Sequence, residues 1–83
     1  MDQIKLDYPI TVAGAETKEL NMRRPKVRDL RDAQKAGKSA TDAEVEIRLF
    51  ANLCEVAPSV IEELDMADYS KVQERYQGFL SRE

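Results

Sequence analysis

The sequence predicts an α+β fold, an N-terminal β-hairpin packed on three to four short α-helices. Three observations carry that reading. Apolar residues alternate with polar ones over Ile4, Leu6, Tyr8, Ile10 and Val12 and again from Thr17 onward. A glycine-bearing break, Ala13-Gly14-Ala15-Glu16, separates the two runs. From Thr41 on, apolar residues recur at helical spacing, punctuated by Pro58 and by residues suited to helix caps. The 83 residues are expected to form one domain, residues 1–23 as the hairpin and 26–83 as the helical part. A chain this short buries only about 60–65% of the surface its unfolded form exposes. Its core is therefore thin, and a partner or a second copy would add burial.

The strands are placed at about 3–12 and 17–23. A period of two gives one apolar and one wet face, with Leu20 and Met22 on one side and Thr17, Glu19 and Asn21 on the other. Pro9 lacks a backbone donor and suits an edge strand or a bulge. Gly14 can take a positive φ. An isolated hairpin is marginal in water, so its apolar face must lie on the helices or on a partner.

Pro25 ends the second strand and opens a first helix at about 26–36. Val27, Leu30, Ala33 and Gln34 form its narrow stripe. Gly37 is placed just beyond its end, and Lys35 and Lys38 at the negative end of its dipole. Lys38-Ser39-Ala40 reads as a linker. Thr41-Asp42-Ala43-Glu44 has the form of a capping box and starts a helix at about 42–55. On that helix Ala43, Ile47, Phe50, Ala51 and Cys54 make one stripe, and Val45, Leu49 and Leu53 a second beside it. Together they exceed the roughly 100° arc a surface helix needs. The helix is either central or keeps an apolar side for a partner. Glu46 alone intrudes on the apolar arc.

Pro58 opens a short helical turn at about 58–64, carrying Val60, Ile61 and Leu64. Asp65 is a second N-cap, with Asp68 in the following first turn, where negative charge is favoured. The last helix, about 66–81, carries Tyr69, Val72, Tyr76, Phe79 and Leu80 on one stripe. Gly78 within it marks close packing or fraying.

Charge is unevenly spread. The net value is -3, yet residues 23–38 hold seven bases against two acids, and residues 39–83 hold ten acids against four bases. With no His and one Cys, Cys54, the chain lacks the commonest general base and metal ligand and cannot form an internal disulfide. No nucleophile–base pair or ligand cluster can be assembled from it, so neither enzymatic activity nor a cofactor nor a metal is expected. No signal sequence or membrane-length apolar run is present, and a soluble intracellular protein is expected. The acids Glu62, Glu63, Asp65 and Asp68 read as helix caps and a wet face, and Cys54 as a buried small residue.

The order of these parts resembles the small tail assembly chaperones of contractile-tailed phages and prophages. That group includes protein E of P2-like phages and its counterpart in Mu-like phages. Three stretches carry the resemblance: Leu20, Met22, Arg23, Pro25, Val27, Asp29 and Leu30; Asp42-Ala43-Glu44 with the run through Leu53; and Pro58, Ile61, Glu62, Leu64, Asp65, Asp68 and Tyr69, closing with Gly78-Phe79-Leu80. The likeness spans nearly the whole chain. It implies a non-enzymatic chaperone that coats and shields the tape measure protein during tail morphogenesis. Such a protein acts in the cytoplasm of the bacterial host and is absent from the mature virion. The resemblance also allows a frameshifted longer form; the wide apolar arc allows self-association, and no membrane partner is expected.

For the masking surface, helical spacing selects Val45, Leu49 and Leu53; charge selects Arg24 and Arg28 as orienting groups. Three other readings use the same residues. The stripe could be covered by the chain's own hairpin and last helix, or by another copy. The basic residues 23–31 could serve a nucleic-acid-binding regulatory adaptor, although the acidic balance and the lack of aromatics in the cluster argue against nucleic acid. A structural tail subunit is the remaining alternative.

Overall fold

Alternation and turn chemistry produce the hairpin. In the computed structural model, which describes residues 2–35 and 41–81, β1 (Asp2–Val12) and β2 (Ala15–Met22) pair antiparallel. The turn is tighter than the sequence break suggests. Val12 pairs with Ala15, leaving two residues, Ala13 at φ 53° and Gly14 at φ 82°. Two successive positive φ values match the type I′ turn whose twist suits a hairpin; the sequence reading placed only Gly14 there.

The register is broken once. Ile4 pairs with Leu20 and Lys5 with Glu19, but Ile10 pairs with Thr17. Four residues of β1, Leu6 to Pro9, thus lie opposite the single residue Lys18. The bulge expected from Pro9 is present, and it changes which residues are partners. Thr17, assigned to the wet face, lies opposite Ile10 and is half-buried.

Four helices follow among the described residues: α1 (Val27–Gln34), α2 (Asp42–Cys54), α3 (Pro58–Glu62) and α4 (Met66–Leu80). The positions assigned to Gly37 and to the Lys38-Ser39-Ala40 linker lie outside the described residues. The Thr41 hydroxyl accepts the Glu44 N–H at 3.1 Å and donates to the Glu44 carboxylate at 3.2 Å. α2 ends with Glu55 in the left-handed region at φ 57° and the Val56 N–H donating to the Ala51 carbonyl. That is a Schellman closure built without glycine. Pro58 stands at the start of α3, and the Asp65 side chain caps α4 through the Ala67 N–H at 2.9 Å.

The core forms where hairpin and helices meet. Ile4, Leu6, Leu20 and Met22 from the hairpin lie against Leu49, Phe50, Leu53 and Cys54 of α2, with Ile61, Leu64 and Val72 closing it. Both apolar stripes of α2 are used inside the chain, and this helix touches β2, α1 and α3. Phe50 also packs on Tyr69 and Tyr76 of α4, at 5.7 and 5.5 Å between ring centroids. Glu46, the acid on the apolar arc, accepts hydrogen bonds from the Tyr69 hydroxyl and from Gln73 Nε2. Burial, that hydrogen bond and the Glu46 charge all push the Tyr69 phenol up. Cys54 is buried as expected, and burial pushes its thiol up to about 11.

Candidate functional site

Two polar joints decide which surfaces the fold leaves open. The first is the bulge in β1. Extra residues in a strand leave backbone N–H groups without ladder partners. Asp68, one turn into α4, supplies the acceptors. Its Oδ1 takes the Asp7 N–H and its Oδ2 the Tyr8 N–H, each at 2.9 Å. Asp68 is 0% exposed, which corrects its assignment to a wet face. Burial by itself would raise its pKa. The two backbone donors and the Lys71 ammonium, 3.6 Å away, outweigh burial and hold the carboxyl below its usual range. Lys71 also pairs with Asp7 at 2.9 Å and donates to the Lys5 carbonyl, while Arg75 donates to the Gln3 carbonyl. α4 thereby occupies the outer edge of β1.

The second joint sets the rotation of α1. Arg23 leaves β2 and donates a two-pronged pair of hydrogen bonds to Asp29, at 2.9 and 2.7 Å. Its guanidinium also reaches the Asn52 carbonyl at the end of α2, and its own N–H bonds the Leu53 carbonyl. Asp29 further accepts the Lys26 N–H at 2.8 Å, satisfying an orphan donor at the start of α1. Asp29 is only 3% exposed. The Arg23 hydrogen bonds, helped by Lys26 and opposed by burial, hold it below the usual carboxylate range.

Burying Asp29 turns the apolar stripe of α1 outward. Of the predicted stripe only Ala33 is buried; Val27 is 80% and Leu30 43% exposed. At 100° per residue, Arg31 sits opposite Asp29 and Ala33, with Val27 and Arg28 on either side of it and Leu30 at the boundary of the buried side, about 60° from Ala33. Among the described residues, Arg24, Lys26, Arg28 and Arg31 have no carboxylate within ion-pair distance. The Arg24 guanidinium lies 5.9 Å from the centroid of Phe79, within cation–π range. This places the last turn of α4, including exposed Leu80, within one arginine's reach of the segment before α1.

The residues selected from spacing divide between core and surface. Leu49 and Leu53 are 6% and 0% exposed, inside their own chain, and Val45 is half-buried at the core's edge. With the fold intact, Leu49 and Leu53 are closed to a partner. Their i, i+4 spacing answers to the core because hairpin, α1, α3 and α4 pack around α2. Arg24 and Arg28 are both exposed. Val27 and Leu30 were not selected. The available signal was Asp29, whose proximity in sequence to Arg23 allows it to be the buried member of the helix.

Among the described residues no group of three or more His, Cys, Asp or Glu side chains is arranged to hold a metal ion, and no helix is long and apolar enough to cross a membrane. What the described residues present is a cationic helix with bare apolar residues on a chain of net charge -3.

The family model for phage tail assembly chaperone proteins, E, or 41 or 14, matches residues 3–81. The chain belongs to this family. No curated protein and no solved structure matches it. Membership in the tail assembly chaperones supports a chaperone role and implies a phage tail protein as partner. The match runs through both polar joints and all four helices.

Proposed function

We propose that this tail assembly chaperone binds and shields the tape measure protein before the tail tube closes around it. It acts as one folded unit, in the host cytoplasm, and leaves before the particle is complete. Family membership supports a tail protein as client. The observation that carries the shielding reading is the outward side of α1, where Val27 and Leu30 are left exposed. Arg24 and Arg28 orient the approach of the client. Of the α2 stripe, Val45 alone is open enough to touch a client without unfolding.

Co-expression with the tape measure protein from the same gene cluster tests this. The expected result is a rise in that protein's soluble fraction and its co-purification with the chain. Unchanged solubility with no co-purification would reject the role. Mass spectrometry of purified particles separates a chaperone, which is absent, from a tail subunit, which persists.

A further inference from the structure

We propose that the exposed face of α1 is the client-docking surface and that it takes an acidic amphipathic helix. This rests on the shielding reading and specifies its chemistry. Three observations converge on the face.

The first is the mismatch between α1 and its own core. An eight-residue helix is too short to persist by backbone hydrogen bonding alone. In the described residues α1 buries Ala33 and Asp29 and little else, while Val27 and Leu30 face water. It is held in place by the Arg23–Asp29 pair. A helix retained by an ion pair with its apolar residues outside leaves those residues for another molecule.

The second observation is charge. Arg31 and Arg28 lie beside Val27 on one side of the helix, and Arg24 and Lys26 precede it. None of the four has an ion-pair partner among the described residues. A cationic rim around apolar anchors favours a carboxylate-bearing partner and steers its approach. It also disfavours a second α1, which would bring like charges together.

The third is shape. The face is a convex ridge two turns long, with Val27 and Leu30 at i, i+3. Such a ridge fits the groove between side-chain rows of another helix. An occupant with apolar residues at i, i+3, i+4 and i+7 and Glu or Asp beside them meets both the anchors and the rim.

The test uses the intact chain and two synthetic helical peptides with the same apolar stripe, one carrying Glu and the other Lys on the polar face. Binding is read by fluorescence anisotropy at low and high salt. The Glu peptide is expected to bind at least about tenfold tighter than the Lys peptide, and to weaken as salt rises. V27S/L30S should lose at least about tenfold in affinity, and R28E/R31E should reverse the peptide preference. These four positions are exposed, and circular dichroism confirms that the variants fold. Absence of binding, equal binding of both peptides, or variants that bind like the parent would each overturn the proposal. So would sedimentation showing an oligomer that V27S/L30S dissolves, because the face would then belong to a second copy. If the chain keeps the tape measure protein soluble while ignoring the Glu peptide, the docking face is wrong and the shielding role stands. If solubility is not protected, the shielding role itself fails.

Discussion

The α4–β1 seam and the α1 face are opposites in how they treat polar and apolar groups. Along the seam the polar groups freed by the bulge are answered. The bulge frees two N–H groups and Asp68 accepts both; Lys71 and Arg75 take strand carbonyls; the acids nearby have cations beside them. Both regions bury a carboxylate, but on α1 Val27 and Leu30 are bare, and four cations on or just before the helix lack carboxylate partners among the described residues. The seam is complete without another molecule; the α1 face is chemically unfinished. The difference separates residues that hold the chain from residues available to a client, and it can be tested from both sides.

The largest effect should come from the seam. Asp68→Ala removes the buried carboxylate that accepts both bulge N–H groups and should destabilise the chain by about 3–5 kcal/mol, measured by urea unfolding. On a domain of this size that approaches the whole of its stability. If Asp68→Ala costs under about 1 kcal/mol, the bulge is not held as described and the seam is no more complete than α1.

Acid should weaken the same joints. Asp68 and Asp29 are both held below their usual pKa in the folded chain. A depressed folded pKa means that the stabilisation is fully present above the unfolded value, near pH ~4, and fades as pH falls through the folded values. Urea midpoints should therefore be flat from about pH 7 to about pH 5 and drop below about pH 4. Asp68→Asn should flatten that acid limb.

Asp29→Asn tests the joint that orients α1. It should cost about 2–3 kcal/mol, less than the seam mutation, because Arg23 is part-exposed and can be rehydrated. It should also loosen α1, seen as faster amide exchange over residues 27–34.

Gly78→Ala should raise stability by about 0.5–1 kcal/mol. Gly78 lies within α4, and a Cβ there would meet nothing within 4 Å, so neither close packing nor helix termination explains the glycine. The smallest effect on folding should come from Val27→Ser with Leu30→Ser. Both are exposed, and each should change stability by no more than about 0.5 kcal/mol. The same double variant should show the largest loss of client binding. A mutation silent in folding and damaging in binding is what distinguishes the α1 face from the seam.

Most of the architecture was legible because it rests on local rules. Alternation placed both strands, Thr41 and Asp65 marked helix starts, and Pro58 opened α3 where expected. What escaped depends on contacts across the chain. Asp68 reads as an ordinary first-turn acid; its burial follows only from the bulge sixty residues earlier. Val27, Leu30, Ala33 and Gln34 have helical spacing, but spacing does not say which side faces in. Arg23 decided that by drawing Asp29 inward. The broad apolar surface of α2 left two outcomes open, a central helix or a partner face, and enclosure by hairpin, α1, α3 and α4 selected the first for Leu49 and Leu53. Arg24 and Arg28 were chosen by charge alone and are exposed beside the face now proposed.

The central claim is that a client covers α1 while the α2 stripe stays inside. Methyl NMR of the selectively labelled chain, titrated with the tape measure protein, addresses it directly. The account predicts that Val27 and Leu30 signals shift or broaden first while those of Leu49, Leu53 and Val72 hold their positions. Shifts at Leu49 and Leu53 with Val27 and Leu30 unmoved would contradict it, because the chain would then open its own core to bind.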